Sequence, residues 1–225
     1  MPARLRFEPP LAALLDRLHA QSGAQSGELA SYFGRRAAAG DLDWNAFDAA
    51  ADRFLADKLV ALDRDKAELC HQLCRALRAR RVVEAGTSFG VSTLYLADAV
   101  RANGGGVVIG TEVEPAKAEA AHTVFAEAGL DGLIDLREGD LRETLRDVGG
   151  PVDFMLIDIW TPLARPALEL VAPQLRPGAI VVADNTTQFR DAYRDYFAFL
   201  EDPANGFCTT TLPYPGGFEL SVRLD

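Results

Sequence analysis

Two apolar runs in the chain end in oxygen donors: LIDIW places Asp158 after its run, and VVADN places Asp184 and Asn185 after its own. Two carboxylates and an amide oxygen form the donor set that a hard divalent cation such as Mg²⁺ takes, with water and substrate oxygens completing the shell. Each of these residues alone is equally a turn former or helix cap. A third run opens into EAGTSFGVS, where Gly86 and Gly90 let a ligand approach the backbone before a helix begins. Its glycines stand further apart than in GxGxxG, which disfavours the pyrophosphate cradle of a dinucleotide. The next strand ends at Glu112, where a carboxylate can accept from both hydroxyls of a ribose and so implies adenosine. Gly139-Asp140 suits an adenine amine or a simple turn, and Glu114 before Pro115 fits a helix-start charge.

The elements that must position these residues follow from periodicity. Strands are expected at 81–85, 106–112, 133–137, 152–158 and 179–184, each apolar enough to be covered on both faces. Helices are expected at 91–102, 115–128, 163–174 and 187–200, with a shorter one at 141–147. That alternation signifies repeated βαβ units and a parallel, doubly wound α/β sheet whose ligands gather beyond the carboxyl ends of the strands. FCTTTLPY and FELSVRL, joined by Pro215, Gly216 and Gly217, read as an antiparallel hairpin closing one edge. Before the first strand, LAALLDRLHAQ, GELASYFGRRAAA, WNAFDAAADRFLADKLVAL and DKAELCHQLCRALRA read as helices separated by glycine breaks. Residues 1–57 are therefore expected to form a helical extension, a cap or dimer element, ahead of a domain spanning 58–225.

The 225 residues are 48% hydrophobic and 25% charged, enough for one substantial core. A formal charge of -10 argues against a partner held by phosphate contacts. The basic groups, Arg35 with Arg36 and Arg78 with Arg80 and Arg81, fall at expected helix ends, where cations suit exposed carbonyls. No apolar run is long enough for a membrane span and no secretory core opens the chain, so a cytoplasmic protein is expected. Cys70, Cys74 and Cys208 cannot all pair with one another; Cys70-His71-Cys74 lacks the second half of a zinc motif and reads as small buried helix residues.

Together, EAGTSFGVSTLYLA, GTEVEPAKAEAA, REGDLRETL, LIDIW, VVADN and LPYPGGFELSV stand in the order and spacing of the cation-dependent O-methyltransferases, the family of catechol and caffeoyl-coenzyme A O-methyltransferases. The resemblance covers about residues 58–225. It implies a seven-stranded Rossmann-like sheet, S-adenosylmethionine as methyl donor, Mg²⁺ or another divalent cation, a small acceptor with neighbouring hydroxyls, and a homodimer. Carried over, it puts Gly86 and Ser92 at the donor's methionine end, within a loop that also holds Glu84, Thr87, Ser88 and Gly90. Glu112, followed by Val113, then holds the ribose; Asp140 and Leu141 border the adenine; Leu62 and Asp63 cover the donor. Trp160 falls at the edge of the adenine pocket or in the core. Asp158, Asp184 and Asn185 bind the cation, Asp158 also counting as catalytic. Glu219 matches a position that orients a second hydroxyl in some relatives, or else faces the surface. The chain departs from the family three residues after Asp158, where a lysine base is usual and Thr161 stands. That departure keeps two other readings open: a methyltransferase for a different acceptor, and a donor-binding protein without turnover.

Overall fold

The β-branched runs do form the strands, and the computed structural model, which describes residues 5–225, shows how they are ordered. In chain order the elements are α1 (Pro9–Ala39), α2 (Ala49–Leu55), α3 (Arg64–Leu77), β1 (Arg81–Ala85), α4 (Val91–Ala102), β2 (Val107–Glu112), α5 (Pro115–Ala128), β3 (Ile134–Glu138), α6 (Leu141–Thr144), β4 (Val152–Ile157), α7 (Thr161–Val171), β5 (Leu175–Asp184), α8 (Arg194–Glu201), β6 (Phe207–Leu212) and β7 (Phe218–Arg223). The seven strands lie in the order β3-β2-β1-β4-β5-β7-β6. β1 to β5 are parallel, and β7 and β6 complete the sheet antiparallel, as the terminal hairpin motif predicts.

Alternate strand residues face opposite layers. Val82, Leu156 and Val182 join α3, α4 and the start of α1 on one face; Val83, Ile157 and Val181 meet α7 and α8 on the other. The strand register decides where chemistry can occur. Ala85 pairs with Thr111 and with Ile157, and Ile157 pairs with Ala183. The next residue along each strand is Glu112, Gly86, Asp158 and Asp184, so these four stand level along one sheet edge, beside the point where the strand order reverses.

The N-terminal region differs from its sequence reading. Of the expected glycine breaks, Gly40 does end α1, as its left-handed C-cap, but the break near Gly23 does not occur: α1 runs unbroken through Gly23, Gly27 and Gly34. A helix-interior glycine costs about 1 kcal/mol, whereas burying a leucine returns about 1.5–3 kcal/mol. Leu11, Leu14, Leu15 and Leu18 are all buried in the same core as α3 and α4, so anchorage outweighs the glycines. The expected long helix from Trp44 shrinks to α2, capped by Asp48, whose carboxylate accepts from the amides of Ala50 and Ala51. Beyond it, residues 56–63 leave helical geometry because α1 side chains capture their amides: Gln25 accepts from Leu59 N at 3.0 Å and Ser22 Oγ from Ala61 N at 3.1 Å. α8 begins later than expected, because Asn185 adopts φ 59° and its amide donates to Gly217 O across the hairpin turn. Cys70 and Cys74 are buried and unpaired, and His71 bonds Asp98 at 2.9 Å, in line with the structural reading of that helix.

Candidate functional site

Beyond the level strand ends opens a cleft of about 1060 Å³. Of the residues expected at a site, Leu62, Gly86, Thr87, Ser88, Ser92, Glu112, Val113, Asp140, Leu141, Asp158, Trp160, Asp184 and Asn185 all line it. Glu84 and Gly90 stand behind the wall instead. Gly90 starts α4 at φ 80°, and a Cβ there would sit 2.4 Å from the Phe125 ring. Gly86 is required at the wall itself: its φ is 96°, and a Cβ would fall 2.1 Å from the carbonyl oxygen of Asp158.

Glu112 shapes the β1–β2 side of the cleft. Its carboxylate accepts from the amides of Ser88 at 2.7 Å, Val113 at 2.9 Å and Glu114 at 2.8 Å, tying the β1 loop to the end of β2. Asp140 caps α6 through Arg142 N at 2.9 Å and pairs with the Arg142 guanidinium, whose hydrogen bonds hold its carboxyl below the usual carboxylate range.

Glu84 is fully buried and accepts from Ser92 Oγ at 2.6 Å, Thr93 Oγ1 at 2.5 Å and Thr87 Oγ1 at 3.1 Å. Burial pushes its carboxyl up from 4.5 to about 7, against those hydroxyls. Between these two values the folded protein holds a proton that the unfolded chain releases. The stability contribution is therefore complete below about pH 4.5 and lost as pH rises through about 7, up to about 3 kcal/mol. Glu84→Gln should flatten the fall in urea-unfolding free energy between pH 5 and 7; a slope equal to wild type would show that Glu84 does not control it.

Asp158 and Asp184 form the opposite floor. Burial, then the like charges of Asp184 and Glu84, push the Asp158 carboxyl up to about 8, against the smaller opposing effect of the Lys66 charge. Asp184 is 6% exposed, and its Oδ1 accepts from Asn185 N and from Lys66 Nζ, each at 2.7 Å. Burial works against the Lys66 charge, but its bonds to Asp184 and Asp63 prevail and hold the ammonium above its ordinary value. Sequence reasoning passed over Lys66. The available signal was its place four residues before Cys70 and eight before Cys74, a lysine inside a buried helical stripe.

Three further placements refine the sequence reading. The Thr161 hydroxyl donates to Trp44 O, pinning the 41–48 segment against α7. Trp160 is neither core nor surface: its ring stands 6.1 Å from Trp44 and 6.1 Å from Phe47, and Trp44 lies 4.3 Å from Phe189. These four aromatic residues wall the cleft mouth. Glu219 reaches neither cleft nor surface; it is 1% exposed and its carboxylate accepts from Thr209 and Thr211 on β6.

Residues 83–186 match the family model described as a methyltransferase domain. A catechol O-methyltransferase of Niastella koreensis is 32% identical over 122 residues, 52% of this chain and 53% of that protein. The chain spans about half the length of the curated relatives it matches. Among solved structures, the O-methyltransferase TomG of Streptomyces achromogenes, involved in tomaymycin synthesis and bound to SAM, is 26% identical with a TM-score of 0.67, covering 80% of this chain and 92% of that one. A Klebsiella pneumoniae structure with a TM-score of 0.71 and 20% identity covers 98% of this chain and 92% of its own, and shows the same fold. The sequence resemblance thus holds at the level of the O-methyltransferases and their Rossmann-like sheet. Among the described residues no helix is long and apolar enough to cross a membrane.

Proposed function

We propose, for a chain that carries a methyltransferase domain, that it moves a methyl group from S-adenosylmethionine to one oxygen of a small aromatic acceptor with neighbouring hydroxyls. A divalent cation at Asp158, Asp184 and Asn185 assists. The observation that supports this reading most is the level row of Glu112, Gly86, Asp158 and Asp184 along one cleft, which sets a ribose acceptor and a carboxylate pair on either side of a loop open to close approach.

The residues present fit a cation. Among the described residues no three His, Cys, Asp or Glu side chains converge as a cage, but two carboxylates and an amide oxygen suit a hard ion that keeps open positions for substrate. Such an ion would favour the ionised form of the Asp158 carboxyl, which burial and the charges of Asp184 and Glu84 disfavour and the Lys66 charge only partly restores. When bound, the donor supplies a methyl activated on a sulfonium and the cation favours the ionised form of the acceptor oxygen. The chain's own work is alignment and exclusion of water. Glu112 fixes the ribose, Gly86 admits the donor's methionine end, and Leu62 closes over it. Trp44, Phe47, Trp160 and Phe189 stack about a planar acceptor and hold its oxygen in line. The described part of the 1–57 extension, residues 5–57, acts here as a cap on the 58–225 domain, since Trp44 and Phe47 reach the cleft. Thr161, with its hydroxyl committed to Trp44, is no base; the acceptor proton leaves to water at the cleft mouth.

Methyl transfer to a panel of vicinal diphenols, with Mg²⁺ and with excess chelator, tests this. Turnover that chelator removes is expected. Turnover that survives chelation removes the cation from the reading. Donor binding without turnover on any diphenol leaves a donor-binding protein or a different acceptor.

A further inference from the structure

A lysine reaches the carboxylate pair from an element other than the one that carries the usual base. Lys66 on α3 is 1% exposed, and its Nζ lies 2.7 Å from Asp184 Oδ1 and 3.2 Å from Asp63 Oδ2. Asp63 is itself mostly exposed, so the bond that orders the ammonium in the interior is the one to Asp184. With Asn185 N bound to the same oxygen, Oδ1 of Asp184 has two donors already, and Oδ2 is the oxygen left for the cleft. Asp184 can therefore offer a cation one oxygen rather than a bidentate grip. A fixed positive charge directly behind a carboxylate also opposes a second positive charge in front of it, and burial keeps solvent from screening the two.

We propose that Lys66 is a positioning residue that locks Asp184 in its one-oxygen orientation and sets the affinity of the cleft for a divalent cation. With Lys66 in place the cleft holds the ion weakly by itself and firmly only when the two oxygens of an acceptor complete its shell. The chain thus pairs a missing lysine at Thr161 with a buried lysine behind the site, and ion and acceptor enter cooperatively. This rests on the cation reading of Asp158, Asp184 and Asn185.

Mn²⁺ titration of the full chain, followed by calorimetry and by the electron paramagnetic resonance of free Mn²⁺, separates the two. Lys66→Met keeps the volume and removes the charge; Lys66→Gln keeps a donor to Asp184 without charge and serves if the Met variant does not fold. Stabilisation by S-adenosylhomocysteine reports that either variant keeps its fold. The expected result is Mn²⁺ binding at least about tenfold tighter in the uncharged variants, near wild type in Lys66→Arg, and lost in Asp158→Asn. A vicinal diphenol should tighten Mn²⁺ binding in wild type and do so less in Lys66→Met. Equal or weaker binding by both uncharged variants, with wild type still binding, overturns this inference alone. Absence of binding in wild type and in both variants overturns the cation reading with it.

Discussion

If the proposed cation sits at Asp158, Asp158→Ala should lower methyl transfer by a factor of about 10³ or more, since cation and aligned acceptor would be lost together and contributions of this kind are worth several kcal/mol in the transition state. S-adenosylhomocysteine affinity should stay within about threefold of wild type. That separation follows from the local geometry. What Asp158 gives the loop after β1 is backbone: its amide donates to Ala85 O at 3.0 Å, and its carbonyl lies against Gly86 where a Cβ would collide. Truncating the side chain leaves both. The same variant should melt at a higher temperature than wild type in chelator, because a buried carboxyl pushed up to about 8 by burial and by its neighbours' like charge is removed. Calorimetry with S-adenosylhomocysteine, a turnover assay and a melting curve together check the result. Activity retained with chelator sensitivity intact would take the cation away from Asp158, and a loss of donor affinity parallel to the loss of turnover would make Asp158 a donor residue instead.

The second large effect is expected on the donor side. Glu112→Ala should weaken S-adenosylmethionine binding by about 10² or more, the scale of losing charge-assisted hydrogen bonds to a ligand and leaving donors unmatched. Two losses add. On the proposed reading the ribose hydroxyls lose their acceptor, and the amides of Ser88, Val113 and Glu114 lose theirs, which frees the β1 loop from the end of β2. Glu112→Gln should recover little, since its amide NH₂ would face backbone N–H groups where a carboxylate oxygen now accepts. In kinetics the donor KM should rise far more than kcat falls, the opposite of Asp158→Ala. Donor affinity within about threefold of wild type in Glu112→Ala would remove the ribose role.

These two residues were legible in the sequence for one physical reason. A parallel strand covered on both faces reads as an unbroken apolar run, so its end is marked wherever a polar residue interrupts it. Asp158, Asp184 and Glu112 all stand at such interruptions, and a doubly wound sheet puts strand ends on one edge. Gly86 was legible through its neighbours, a glycine between strand and helix.

Other features carried no such mark. Lys66 and Asp184 are 118 residues apart, and a lysine in a helix usually faces water. Its burial depends on how α3 packs against α4 and over β4. Glu219 looked like a lone acid in a strand until β6 brought Thr209 and Thr211 against it. The continuity of α1, the unwinding of residues 56–63 and the bond from Thr161 to Trp44 are likewise products of packing. The sequence by itself determined the strands, the parallel direction of the first five and the identities of the residues at their carboxyl ends, because local periodicity and backbone chemistry decide these. The tertiary structure alone decided which of those residues stand level, which charge lies behind Asp184 and what walls the cleft mouth, because these depend on contacts between segments far apart in the chain.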